Sequence, residues 1–95
     1  MMGYRLTLTK RAEKQIDAIP AKQRRMIVAW MAENLHDCAN PKTVAGVKPI
    51  QGTRNGWRYR VGSYRVLARI EDDELLIEVV RAGHRQGVYS NLPDL

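Results

Sequence analysis

The sequence predicts an α+β domain: an N-terminal strand, a helical hairpin, and a three-stranded antiparallel meander that completes a small sheet. Three observations carry this expectation. Apolar and polar residues alternate with period 2 near the N-terminus and again beyond residue 57, helical spacing fills the region between residues 10 and 36, and a turn-rich segment separates the two patterns. Ninety-five residues with 44% hydrophobic content support one core, so residues 1–95 are expected to form a single domain.

Each element has its own signal. Tyr4-Arg-Leu-Thr-Leu-Thr9 alternates so that Tyr4, Leu6 and Leu8 share a buried side. Thr9 is placed to cap a helix over Lys10 to Ile19, with Ala12, Ile16 and Ile19 at helical spacing. Pro20 interrupts that helix and suits the first turn of a second one running to about His36, whose inner face is read as Met26, Ile27, Trp30, Met31 and Leu35. Asn40-Pro41 opens a linker through Gly56, rich in Gly and Pro, where turns and at most one brief helical turn are expected. Strands are then predicted at roughly 57–61, 64–71 and 75–82, with Asp72-Asp73 as a polar turn.

Charge narrows the choice of partner. The formal net charge is +6 and the isoelectric point about 9.9, which favours an anionic partner such as nucleic acid. The excess is localised: seven basic residues and no Asp or Glu lie between Cys38 and Ile70. A lone cysteine, Cys38, offers no internal disulfide and no CxxC pair, which points to a reducing compartment and to cytoplasmic localisation. No stretch approaches the roughly 18 apolar residues of a membrane span, and no apolar signal core begins the chain, so no membrane partner is expected. There is no HExxH, paired-carboxylate or Cys/His metal pattern, no P-loop and no GxGxxG, so neither a metal nor another cofactor is expected.

The charge concentrates in "W57-R-Y-R-V-G-S-Y-R-V-L-A-R69". Gly62-Ser63 fits a two-residue type II′ hairpin loop, because glycine tolerates positive φ at the first loop position. That loop pairs Val61 with Tyr64, Arg60 with Arg65, Tyr59 with Val66 and Arg58 with Leu67. Trp57, Tyr59, Val61, Tyr64, Val66, Ala68 and Ile70 then face a core, while Arg58, Arg60, Arg65 and Arg69 face away with Leu67 among them. A solvated polar face is the ordinary explanation for exposed basic residues. Here, however, like charges oppose one another and all of them are arginine, whose planar fork matches phosphate oxygens.

"R81-A-G-H-R-Q-G-V-Y89" ends the last strand and adds His84, Arg85 and Tyr89. Singly, these residues read as surface histidine and packing tyrosine. Beside an arginine hairpin they supply an imidazole, a guanidinium and a phenol near a phosphate site. RNA cleavage without a metal needs such groups to deprotonate the ribose 2′-OH, stabilise the phosphorane and protonate the leaving 5′-oxygen.

On "V47-K-P-I-Q-G52", "W57-R-Y-R-V-G-S-Y-R-V-L67" and "V79-V-R-A-G-H-R-Q-G-V-Y89", the chain resembles the RelE/ParE superfamily of toxins from bacterial type II toxin-antitoxin modules, and more its RelE branch of messenger-RNA interferases. The resemblance implies a RelE-like microbial RNase fold and a ribosome-dependent endoribonuclease that cuts mRNA in the A site by metal-independent 2′-OH attack, inhibiting translation and growth. It places catalytic roles on Arg58, Arg60, Arg65, Arg85 and Tyr89, with His84 in the basic position before Arg85. Tyr89 would stack on a base or activate the 2′-OH, Arg65 would stabilise the phosphorane, and Arg85 would meet the scissile phosphate or leaving group. Arg58 and Arg60 stand where lysines are frequent, and a guanidinium is a poor proton-transfer group. His84 is therefore expected to assist proton transfer. Lys48, Arg54 and Arg69 are candidates for RNA binding. The partners implied are a cognate antitoxin, the ribosome and its message, and a toxin-antitoxin hetero-oligomer that reaches operator DNA through the antitoxin.

Two other functions fit the same fold. A ParE-like toxin would poison DNA gyrase without cutting RNA, and a noncatalytic basic module would bind RNA or protein only.

Overall fold

The computed structural model describes residues 3–95 as one five-stranded sheet carrying two helices. In chain order the elements are β1 (Arg5–Leu8), α1 (Lys10–Asp17), α2 (Ala21–Asn34), β2 (Val47–Pro49), β3 (Gly56–Val61), β4 (Tyr64–Glu71) and β5 (Leu76–His84), with 3₁₀ turns at Pro41–Thr43 and Asp72–Glu74. The strand order is β1-β5-β4-β3-β2; β1 runs parallel to β5 and every other pairing is antiparallel. The α+β class, the helical hairpin and the β3-β4-β5 meander agree with the sequence reading.

Local signals explain most boundaries. The Thr9 hydroxyl accepts from the Ala12 N–H at 3.1 Å, closing the first turn of α1. Pro20 then occupies the cap position of α2. Gly62 has φ of 61° and Ser63 stays out of the left-handed region, the signature of the type II′ loop. The observed pairs Val61–Tyr64, Arg60–Arg65, Tyr59–Val66 and Arg58–Leu67 are those required by that loop.

Two departures from expectation bear on the site. The linker, predicted to hold turns and at most one brief helical turn, has its 3₁₀ turn at Pro41–Thr43 but also contains β2; this strand is three residues long and includes Pro49, tolerated because β2 lies at the edge of the sheet. Met26 was expected on the inner face of α2 but is 44% exposed. The inward stripe is Ile27, Met31 and Leu35, one residue round the helix, and Met26 lies in the flanking row with Trp30.

The main core lies between helices and sheet. Ala12, Ile16, Ile27, Met31 and Leu35 meet Tyr59, Val61, Val66, Ala68, Ile77, Val79 and Ala82 there. The Tyr59 hydroxyl donates to the buried Pro41 carbonyl at 2.7 Å, and its ring packs 5.4 Å from Trp30. Asp72 accepts from Lys42 Nζ and the Tyr4 hydroxyl, which together hold its carboxyl below the ordinary value of 3.8.

A second, smaller core covers part of the other face. Leu67 pairs with Arg81 and Ala68 with Val79, so Val80 is an extra residue that turns outward to join Leu67. Residues 85–95 fold back over these two, with Val88 and Leu95 buried and Leu92 beside them. The sequence placed Leu67 among exposed arginines; the returning tail buries it completely.

Candidate nucleic-acid interface

The returning tail divides the arginine face in two. At the hairpin tip, register sets Arg60 opposite Arg65 and Arg65 opposite Gly83, while Lys48 sits opposite Arg58 one row further in. The Arg85 N–H donates to the Ser63 carbonyl at 3.0 Å, tying the end of β5 to the hairpin loop. Val88 is anchored in the second core, and the next residue, Tyr89, is 41% exposed and close enough for its phenol to act on Arg65.

These groups act on one another. Burial lowers the pKa of Arg65; the charges of Arg58, Arg60 and Arg85 push in the same direction, and the Tyr89 phenol opposes them. Arg65 Nη1 donates to the Gly62 carbonyl at 3.1 Å and to the Tyr64 carbonyl at 2.9 Å, which fixes the guanidinium and leaves its other nitrogens for a ligand. Among the described residues, no carboxylate lies within ion-pair distance of Arg58, Arg60, Arg65 or Arg85. The tip is thus a cationic surface, partly fixed in place, with one phenol at its rim. Such a surface can hold a phosphate and neutralise charge that develops on it.

The other end of β4 is different. Arg69, expected to bind RNA, bonds Glu78 from both Nε and Nη2 at 3.2 Å and also pairs with Glu71. Burial pulls its pKa down, but the two carboxylates outweigh this and leave it raised. The cause is register, because Glu78 stands directly across from Arg69. Arg54, the other outlying candidate, borders a polar hollow of about 550 Å3 together with Arg69, Glu71 and Asp94. Four residues of extended chain, roughly 13 Å, separate Arg69 from Arg65. Arg54 and Arg69 therefore stand apart from the tip cluster, whereas Lys48 adjoins it.

His84 also stands apart. It pairs across the strands with Tyr64, whose ring lies on the helix-bearing face, and the two rings meet edge to face with centroids 5.8 Å apart. Alternation along β5 thus turns the imidazole away from the face that carries Arg65. The expected proton-transfer role for His84 loses its geometric basis.

Sequence reading passed over Arg81. It is 6% exposed, and its Nη2 donates to the Asn91 carbonyl in the tail at 2.7 Å. The available signal was a single charge inside the apolar run Val79-Val80-Arg81-Ala82.

Comparison with known proteins agrees with this architecture. The family model described as "ParE toxin of type II toxin-antitoxin system, parDE" matches residues 6–89. No curated protein sequence is significantly similar to the chain. Among solved structures, a chain of the toxin-antitoxin complex RelBE2 from Mycobacterium tuberculosis is 24% identical, with a TM-score of 0.75 over 90% of this chain and 94% of that one. A chain of the archaeal RelE-RelB complex from Pyrococcus horikoshii is 21% identical, with a TM-score of 0.72 over 92% and 100%. A chain of the Escherichia coli RelBE complex is 20% identical, with a TM-score of 0.69 over 86% and 96%. At these identities the solved structures establish the fold.

Proposed function

This chain belongs to the ParE toxin family, within the RelE/ParE superfamily of type II toxin-antitoxin toxins, and on that premise we propose that it is an endoribonuclease acting at the tip of the β3–β4 hairpin. One observation carries the reading: among the described residues, four guanidinium groups without a carboxylate partner gather at the hairpin tip, where the Tyr89 phenol also acts on Arg65. A surface that only needed solubility would mix both signs of charge, as the Arg69 end does.

The chemistry follows from where the groups lie. Arg58, Arg60 and Lys48 line the approach and hold the RNA backbone. Arg65, fixed by its two carbonyl bonds, meets the scissile phosphate. The 2′-oxygen attacks phosphorus, the new O2′–P bond closes a cyclic phosphate, and the P–O5′ bond breaks. Charge on the phosphorane is stabilised by Arg65 and Arg85, which remain protonated. Within the tip cluster Tyr89 is the group able to exchange a proton, and its ring can stack on a base, so it aligns the nucleotide and relays the 2′-OH proton to bulk water. Bulk water supplies the proton for the leaving 5′-oxygen.

In this reading the message is cut in the ribosomal A site, in the cytoplasm. A cognate antitoxin covers the cationic tip and carries any contact with operator DNA. A second reading, poisoning of DNA gyrase, is favoured by the match to a ParE model and by the packing of His84 against Tyr64 on the opposite face of the sheet. A translation reaction with purified protein, followed by mapping of message 3′ ends, separates the two. Ribosome-dependent cuts that disappear with Arg65→Ala are expected; intact message together with stalled gyrase–DNA complexes would establish the second reading instead.

A further inference from the structure

The nuclease reading assigns nothing to Arg81, although its setting is unusual. The side chain is 6% exposed in the middle of β5, and among the described residues no carboxylate pairs with it. Nη1 donates to the Val80 carbonyl and Nη2 to the Asn91 carbonyl, each at 2.7 Å, while Nε is buried with no partner. Arg11 on α1 is the charged group that acts on it, and its sign is the same. A buried charge with an incomplete set of partners costs stability, and an apolar side chain would fill the slot at lower cost. The residue therefore needs an explanation outside stability.

The guanidinium reaches the tail close to Tyr89. From Arg85 to Leu95 the chain forms turns and irregular backbone, and Asn91 adopts the left-handed region with φ of 53°. Val88 and Leu92 hold this segment by apolar contact, which fixes depth but little direction. Among the described residues, Arg81 to Asn91 is the hydrogen bond that ties positions 89–92 to the sheet. Tyr89 thus lies between an apolar anchor at position 88 and a hydrogen-bonded anchor at position 91.

We infer that Arg81 is a positioning residue, whose guanidinium latches the Tyr89-bearing tail to β5 so that the phenol stays at Arg65. The inference deepens the nuclease reading and rests on it for its catalytic consequence, but the latch itself can be tested without catalysis. Arg81→Met keeps the apolar stem and removes the guanidinium, and Arg81→Lys keeps charge with a single donor nitrogen. Each variant is prepared alone and with Tyr89→Phe, then followed by thermal unfolding, amide hydrogen exchange, RNA binding and single-turnover cleavage of RNA.

For Arg81→Met, amide exchange at residues 86–92 is expected to rise at least fivefold with the β3 and β4 amides unchanged and the melting temperature equal or higher. RNA affinity stays within about twofold, while the cleavage rate falls roughly ten- to a hundredfold, the scale of a misplaced catalytic group. In the Tyr89→Phe background the same substitution adds little further loss. Arg81→Lys is expected to fall between wild type and Arg81→Met in both exchange and rate. Unchanged exchange at 86–92, or a loss of cleavage that simply multiplies with Tyr89→Phe, overturns the inference. If Arg81→Met does not fold, the exchange pattern of Arg81→Lys decides by the same criterion. If wild-type protein cuts no RNA, the nuclease reading fails and exchange alone judges the latch.

Discussion

Arg65 and Arg69 lie on one face of one strand, four residues apart, and have opposite surroundings. Arg69 stands across from Glu78, bonds it twice and also meets Glu71, so its charge is balanced within the fold. Arg65 stands between Arg60 and Gly83, with Arg58 and Arg85 adding charge of the same sign. Residue type and alternation are the same for both. What differs is the side chain across the strand, and that partner separates a structural arginine from one available to a ligand.

Removing the available arginine is the most severe break in this comparison. Arg65→Ala is expected to lower RNA cleavage by about 10²- to 10³-fold, as loss of a donor to transition-state charge does. Thermal stability should change by less than about 0.5 kcal/mol, because the lost carbonyl bonds are offset by relief of repulsion from neighbouring arginines. A matched pair of rates and melting curves checks both parts. A large loss of stability with unaltered chemistry would make Arg65 structural as well.

The comparison can also be inverted. Gly83→Glu places a carboxylate opposite Arg65, as Glu78 is placed opposite Arg69. A Cβ at position 83 meets Val88 at 3.8 Å, an ordinary contact, so the backbone accepts a Cβ there without strain. RNA affinity is expected to fall about tenfold, and the slope of log affinity against log salt to decrease by about one phosphate contact. Titrations at several salt concentrations measure both quantities, and an unchanged slope would place the RNA elsewhere.

The same cross-strand partners show how much was legible in the sequence. The Gly62-Ser63 loop contains its own register, so the pairings of Arg58, Arg60 and Arg65 follow from local residues alone. The partners of β4 on its other side do not. Whether Arg69 meets Glu78, or Arg65 meets Gly83, depends on how β5 returns and on the extra residue Val80, and no short-range pattern specifies that bulge. The direction of the His84 ring was not legible for a related reason: proximity to Arg85 in sequence hides the alternation that turns the ring toward Tyr64. The edge strand β2 was too short to leave a periodic trace. Burial of Leu67 required the tail to fold back, a contact between residues far apart in the chain.

Uncoupling the balanced arginine gives a smaller effect, and mainly on stability. Arg69 and Glu78 are both about 30% exposed at the side chain, so their ion pair is only partly screened. Glu78→Gln is expected to cost about 0.5–1 kcal/mol, measured by denaturant unfolding, with RNA cleavage within about twofold of wild type. Glu71 still holds Arg69 in that variant, which keeps the freed charge away from the tip. A rise in RNA affinity comparable to the loss in Gly83→Glu would mean that the two ends of β4 form one binding surface.

The smallest expected effect tests the separation of the two faces of the sheet. His84→Ala removes an imidazole adjacent in sequence to Arg85, but one that packs edge-on against Tyr64 on the helix-bearing face. Cleavage is expected to stay within about twofold of wild type, and the pH dependence of the rate to keep its shape. A proton-transfer group must come within hydrogen-bond reach of the proton it moves, and a ring on the far face of a strand meets that condition only by turning past the end of β5. Tyr89 lies close enough to act on Arg65, so its removal, and not that of His84, should alter the profile. A tenfold loss in His84→Ala with a displaced acidic limb would show the imidazole crossing to the arginine face when RNA is bound. The tip would then hold its own acid–base pair, and the contrast with the Arg69 end would extend from charge balance to proton transfer.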